Sequence, residues 1–170
     1  MTFAFIPDQE LPSTSEVEAF EEKIGFKLPQ DYREFLLKYN GARWELENQN
    51  LDNDLCLGFS VDATVRDIGG ESFYFDGFNP LHRNPDNYGI LQMYEVAMNY
   101  WDHLRELLPF AHTAGGIHLF ICLSDNHKGG IFIAADEFGY KRLEELPLSV
   151  DDYSMIAASF TEFLTMLEWM

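Results

Sequence analysis

From Leu28 to Gly41 the chain reads LPQDYREFLLKYNG, with the large apolar residues Tyr32, Phe35, Leu36 and Tyr39 at i, i+3, i+4 and i+7. That spacing lays four side chains along one stripe of a short helix that faces a core. Pro29 suits the first helical turn, where a missing N–H costs nothing. Asn40-Gly41 then supplies the left-handed residue that ends the helix. A matching helix precedes it: Val17, Phe20 and Ile24 repeat at helical spacing up to Gly25, and Ser13 with Glu16, or Ser15 with Glu18, can close a capping box. The two helices flank the elbow Phe26-Lys27-Leu28.

Further along, the period changes to two. Leu55, Leu57, Phe59 and Val61 alternate with Cys56, Gly58 and Ser60, which predicts a strand with one buried face. Glu71 to Phe78 predicts a second strand, with Asp76-Gly77 as a bend or hairpin turn. The following FNPLHRNPDNYG reads as a loop, because two prolines and three asparagines interrupt any ladder. From Ile90 to Leu108 the pattern is helical again: Leu91, Tyr94, Met98, Trp101, Leu104 and Leu108 share a face, with Glu95, Asn99, Asp102 and Glu106 opposite. Pro109 ends that helix by biasing Leu108 away from helical angles.

Ile117 to Ser124 and Gly130 to Ala135 predict a hairpin across Asp125 to Gly129, and Phe138-Gly139 allows a further reversal into Tyr140 to Leu143. Such short connections favour an antiparallel meander. A closing helix carries Ile156, Phe160, Phe163, Leu164 and Leu167 on one stripe, and Asp151-Asp152 suits its positive end. The expected fold is α+β: an antiparallel sheet of about five to six strands flanked by helices, two short ones near the start and one at the end. No internal repeat or low-complexity segment is visible.

The run FEEKIGFKLPQDYREFLLKYNG resembles the opening of the SUKH superfamily. Pro109-Phe110-Ala111 and Gly115-Gly116 before IHLFICLS, then GGIFIAADE and SFTEFLTMLEW, resemble the family's later strands and closing helix, so the likeness spans nearly the whole chain. Two positions depart from the family pattern. Ala42 stands where many relatives carry a second glycine, and His112-Thr113 occupies a turn where an aspartate is usual. The resemblance implies a single domain over residues 1–170 and a role as an immunity protein against a secreted toxin. The superfamily's eukaryotic relatives, which act in cell-wall regulation, imply an intracellular protein-interaction scaffold as the alternative.

With 170 residues, 46% of them hydrophobic and 15% aromatic, the chain can bury a sizeable core, which excludes a disordered acidic tail. Met1 to Pro7 has no basic region and too short an apolar run for a secretory signal. Phe110 to Ser124, the longest uncharged stretch, falls short of the roughly 18 residues that span a bilayer. The expectation is a soluble, cytoplasmic protein. Cys56 and Cys122 fit neither a zinc ribbon nor a redox pair and are expected to be reduced and structural.

Charge changes the picture more. Twenty-nine acidic against eleven basic side chains leave a formal net charge of −18, where about 2 to 8 in magnitude suffices for solubility. Trp44 to Thr64 and Leu143 to Met170 contain no Lys or Arg at all. Such a surface repels nucleic acid and anionic lipid and attracts a basic protein. A nuclease toxin is a natural candidate, since proteins that grip phosphate backbones display Lys and Arg. Charge alone favours a merely soluble protein over a recognition surface; the resemblance reverses that balance.

Enzyme chemistry finds little support. Asn50, Asp52 and Asp54 have calcium-loop spacing, but Leu55 and Val61 replace the required Gly and Glu. His112 and His118 lack paired ligand spacing, and the glycine pairs lack phosphate-loop partners. A small hydrolase using Cys122 would need an exposed, electropositive thiol rather than one in an apolar strand. Asp136-Glu137 are adjacent in a strand and point to opposite faces. Trp44 reads as core or as an interface anchor. The expected protein binds without catalysis, cofactor or metal. Its partner-binding carboxylates, chosen by charge, are Glu45, Glu47, Asp52 and Asp54, then Asp76, Asp136 and Glu137.

Overall fold

Ser13 caps the first helix as its spacing predicts: its hydroxyl accepts from the Glu16 N–H while the Glu16 carboxylate accepts from the Ser13 N–H at 2.8 Å. This is a computed structural model, and it describes residues 3–46, 56–62, 72–81, 89–100, 104–133, 150 and 153–170. Helix α1 (Thr14–Ile24) ends at Gly25, whose φ of 80° is left-handed, and α2 (Gln30–Tyr39) ends at Asn40, with φ 44°. Val17, Phe20 and Ile24 of α1 and Tyr32, Phe35 and Leu36 of α2 all enter the main core. Burial pushes the Tyr32 phenol well above its ordinary pKa, so it packs as a neutral ring.

Among the described residues the strands form two antiparallel sheets. A two-stranded one pairs β1 (Phe3–Ile6) with β2 (Arg43–Leu46). The larger sheet contains β3 (Leu57–Ser60), β4 (Ser72–Phe78), β5 (Leu107–Thr113), β6 (His118–Cys122), β7 (Ile131–Ile133), β8 (Ser154–Ala157) and β9 (Glu168–Trp169). Its seven strands run in the order β8-β7-β6-β5-β4-β3-β9, so β3 to β8 follow one another as a meander and β9 returns to the far edge. Helices α1, α2, α3 (Ile90–Tyr100) and α4 (Phe160–Met166) all contribute to the core on one face. The α+β class holds, with more strands than the hydrophobic pattern suggests.

Four details differ from expectation. The third helix is assigned only to Tyr100, and Leu107 to Thr113 is strand β5. Leu104 and Leu108 fall in phase with the helix by coincidence. The consecutive apolar residues Leu107, Leu108, Phe110 and Ala111 are all buried because this strand is covered on both faces. Pro109, which lacks an N–H, is tolerated there because the β5–β6 register shifts between Pro109 and Ala111.

Asp76-Gly77 is no turn but the site of another register shift, between Phe75 and Gly77, with β4 continuing to Phe78. Ile156 belongs to β8, and the last helix starts after Ser159, whose hydroxyl accepts from the Glu162 N–H at 3.0 Å. Asp31 of α2 braces that start by accepting from the Thr161 N–H at 2.9 Å. Asp151-Asp152 and the segment Tyr140 to Leu143 lie outside the described residues. Finally, the chain closes in a strand: Met170 and Cys56 exchange backbone hydrogen bonds of 2.9 and 3.3 Å beside the β3–β9 pair.

The end of α2 joins the layers. Asn40 is fully buried, its side-chain amide donating to the Glu10 carbonyl and accepting from the Leu81 N–H at 2.7 Å. At Gly41 (φ 86°) a Cβ would lie 2.8 Å from that of Pro80, so no other residue fits without displacing the segment after β4. Asn40→Ala leaves a buried donor and a buried acceptor unpaired, and the expected loss is about 2–4 kcal/mol. Urea unfolding measures it; a loss below about 1 kcal/mol would contradict the joint assigned to this amide.

Candidate partner-binding face

Alternation along β4 separates two surfaces. Phe73 and Phe75 enter the core, while Ser72, Tyr74 and Asp76 are exposed on the sheet face turned away from the helices. Gly58 of β3 lies opposite Tyr74, and Ser60 opposite Ser72 with their hydroxyls 3.1 Å apart. A side chain at Gly58 would collide with the Met170 sulfur, which lies across it. The β4 bulge inserts Asp76 as an extra residue, so Phe75 and Phe78 both remain in the core while Asp76 stands out.

Across the bulge, the His112 Nε2 sits 3.0 Å from the Asp76 carboxylate, and His112 in turn pairs with His118 of β6. Beyond His118 the same face is roofed. Leu107, Phe120, Cys122 and Phe132 form a second cluster against which Leu104, Val150 and Tyr153 pack. The sheet thus presents an open shelf over β3 to β5 beside a covered half over β6 and β7.

Of the carboxylates chosen from sequence, Glu45 is exposed on β2 and Asp76 is exposed on β4, in different sheets. Glu47, Asp52, Asp54, Asp136 and Glu137 lie outside the described residues. Trp44 is core: its ring lies 5.6 Å from that of Phe75 and packs against the main cluster. Two shelf residues, Tyr74 and His112, escaped the sequence reading. The alternation of Ser72, Tyr74 and Asp76 with Phe73 and Phe75 was the signal for the first. His112, which the sequence places in a turn and without metal-ligand spacing, lies on β5 instead.

The cations of the helical side and ribbon are largely occupied. Lys23 pairs with Glu95 at 2.9 Å, Lys27 with Glu21 at 2.7 Å, and Arg43 with Asp8 at 2.8 Å, while Arg33 lies 3.5 Å from Glu21. Glu21 is itself buried, and its carboxylate also accepts from the Leu28 N–H at 3.0 Å. A cavity of about 660 Å³ beside α1 is lined by Glu18, Glu21, Glu22, Phe26 and Lys27 among others. Glu21 there clasps the α1–α2 elbow. Strands β3, β4 and β5 contain no Lys or Arg.

Among the described residues no group of three or more His, Cys, Asp or Glu is placed to hold a metal ion. Cys122 is buried, its sulfur 3.3 Å from the Ser124 hydroxyl, and Cys56 is exposed; both are free thiols. No helix among the described residues is long and apolar enough to cross a membrane.

Comparison with known proteins adds a family match over most of the chain: residues 11–166 match the SMI1 / KNR4 family (SUKH-1). A relative in Bacillus subtilis (strain 168), the SPbeta prophage-derived uncharacterized protein YokK, is 27% identical over 155 residues, which is 89% of this chain and 72% of the relative.

His118 makes the shelf's border sensitive to acid. Burial, helped by the neighbouring charge of His112, lowers the His118 pKa from 6.5 to about 4. The folded protein keeps this ring neutral where the unfolded chain protonates it. The two states are therefore equally unprotonated above about 6.5, and folding stability falls as the pH drops from there to about 4. One such group contributes a loss on the order of 3 kcal/mol. His118→Gln should remove most of that slope when urea midpoints are compared between neutral and acid pH. An identical slope in both proteins would reject the assignment.

Proposed function

This chain belongs to the SMI1 / KNR4 family (SUKH-1), and on that premise we propose that it is an immunity protein that binds and neutralises a cognate secreted toxin. The toxin we propose is a basic protein, a nuclease by preference, met in the cytoplasm. The observation that carries this reading is the acid excess: a net charge of −18, with Lys23, Lys27, Arg33 and Arg43 all tied to carboxylates of the chain itself.

The mechanism is steric and electrostatic. A toxin that grips phosphates presents Lys and Arg around its substrate cleft. Carboxylates of the inhibitor offer the same groups an alternative partner and occlude the cleft. Glu45, Glu47, Asp52 and Asp54 form the first contact region proposed, with Asp76, Asp136 and Glu137 as further contributors. Long-range attraction steers the encounter and selects the partner, raising association rates by roughly 10 to 10³ at low salt. Buried carboxylates such as Glu21 take no part, because their charge is already neutralised within the fold.

Two measurements test the proposal. Where a toxin domain is encoded beside this gene, cells expressing that domain should survive when this chain is co-expressed, and death irrespective of its presence would reject the immunity role. Reversing Glu45, Glu47, Asp52 and Asp54 to Lys should slow toxin association by about 10-fold or more at low salt and flatten its salt dependence. Unchanged association kinetics would remove this stretch from the contact region.

A further inference from the structure

The open half of the outer sheet face is an unusual surface for a chain of this charge. Among the described residues Leu11, Tyr74 and Met155 are the large hydrophobics left exposed, and Tyr74 is the most exposed, at 57%. It stands on β4 within the sheet, not on a loop or an edge. Gly58 lies directly opposite with the Met170 side chain laid across it, and the Ser60 and Ser72 hydroxyls stand alongside. With more than half of its surface exposed, the Tyr74 ring is accessible from solvent.

Asp76 lies two residues further along the same strand and on the same exposed side, about 7 Å away at the rise of an extended chain. The bulge keeps it there while Phe78 stays buried. Its ion partner is the His112 ring, which carries charge only when protonated. A guanidinium is charged at every working pH, forks onto a carboxylate through two parallel hydrogen bonds and stacks on aromatic faces. No Lys or Arg on β3, β4 or β5 competes for either group. The covered half over β6 and β7 forms a step beside the shelf, so that an approaching chain is confined to the open part.

We propose that this shelf is the docking surface for an arginine-bearing segment of a basic protein partner, with the arginine stem laid across the Tyr74 ring and its guanidinium on Asp76, displacing the His112 contact. The proposal rests on the acidic-inhibitor reading above and names the surface and the side chain it takes. Tyr74 contributes packing area and the ring face, while Asp76 fixes the position of the charge. A flat aromatic with little entropy to lose is suited to such an anchor.

The test is an NMR titration of the full chain with an octa-arginine peptide at low salt, with octa-lysine as the comparison. Shift changes are expected to concentrate at Ser60, Ser72, Tyr74, Asp76 and His112, with tighter binding of octa-arginine than of octa-lysine. Tyr74→Ala and Asp76→Asn should each weaken octa-arginine binding about 5-fold, the size expected for an exposed cation–π or ion pair. Tyr74→Phe, which keeps the ring, should bind as the natural chain does. All three should retain the natural urea midpoint, because neither side chain is buried. Shifts centred elsewhere on the acidic surface, with the shelf silent, would overturn this surface and leave the acidic-inhibitor reading standing. Equal affinity for the two peptides would overturn the guanidinium role. No salt-sensitive binding at all would overturn both the shelf and the reading beneath it.

Discussion

A polar group removed from water without a partner costs about 1–3 kcal/mol, and this chain meets that constraint by burying polar side chains where elements join. Glu21, Asn40, Asn79 and Thr113 are the buried ones among the described residues. Glu21 holds the elbow between α1 and α2, and Thr113 accepts from the Ile117 N–H at 3.2 Å to close the turn from β5 to β6. Asn40 links Glu10 to Leu81. Asn79 donates from its amide to the Pro109 carbonyl at 2.8 Å, two residues before Leu81 in the chain. A line of amides thus runs from the segment entering α1, through the end of α2, to the central strand. An amide suits this task because it carries both donor and acceptor.

That polar scaffolding explains how an acid-rich chain keeps a well-packed aromatic core. Tyr32, Phe35, Phe78, Phe110 and Phe160 meet edge-on or tilted at centroid distances of 4.8 to 6.3 Å, with helices on one side and the sheet on the other. Among the described residues Glu21 is the buried carboxylate, and it, Glu95 and Asp8 pair with Lys27, Lys23 and Arg43. On the sheet's outer face Asp76 meets the His112 ring, and β3, β4 and β5 carry no Lys or Arg.

Local grammar made the opening helices legible: caps, stripe and stop all lie within about a dozen residues of one another. The β6–β7 hairpin was legible for the same reason, since Gly129, with φ 86°, reverses the chain where a glycine is written. Strand β5 was not, because Leu104 and Leu108 happened to continue a helical phase and only pairing with β4 and β6 decides otherwise. The two-residue strand β9 has no pattern of its own and exists through its partner β3. In the same way Glu45 and Asp76 could be marked by charge. Tyr74 looked like one more aromatic in a run of core residues until its neighbour across the ladder proved to be Gly58.

The β3–β9 pairing carries a consequence for how the protein is made. Leu57 pairs with Trp169, far along the chain, and Phe3 of the separate β1–β2 ribbon packs on the same indole at 6.0 Å. Contacts of such sequence separation are slow to form. During synthesis that edge of β3 stays bare until β9 has cleared the ribosome, although α1 and α2 can already pair. A nascent chain therefore exposes an unpaired strand edge while the residues between β3 and β9 are translated, and chaperone dependence or aggregation in fast expression is the natural weak point of this architecture.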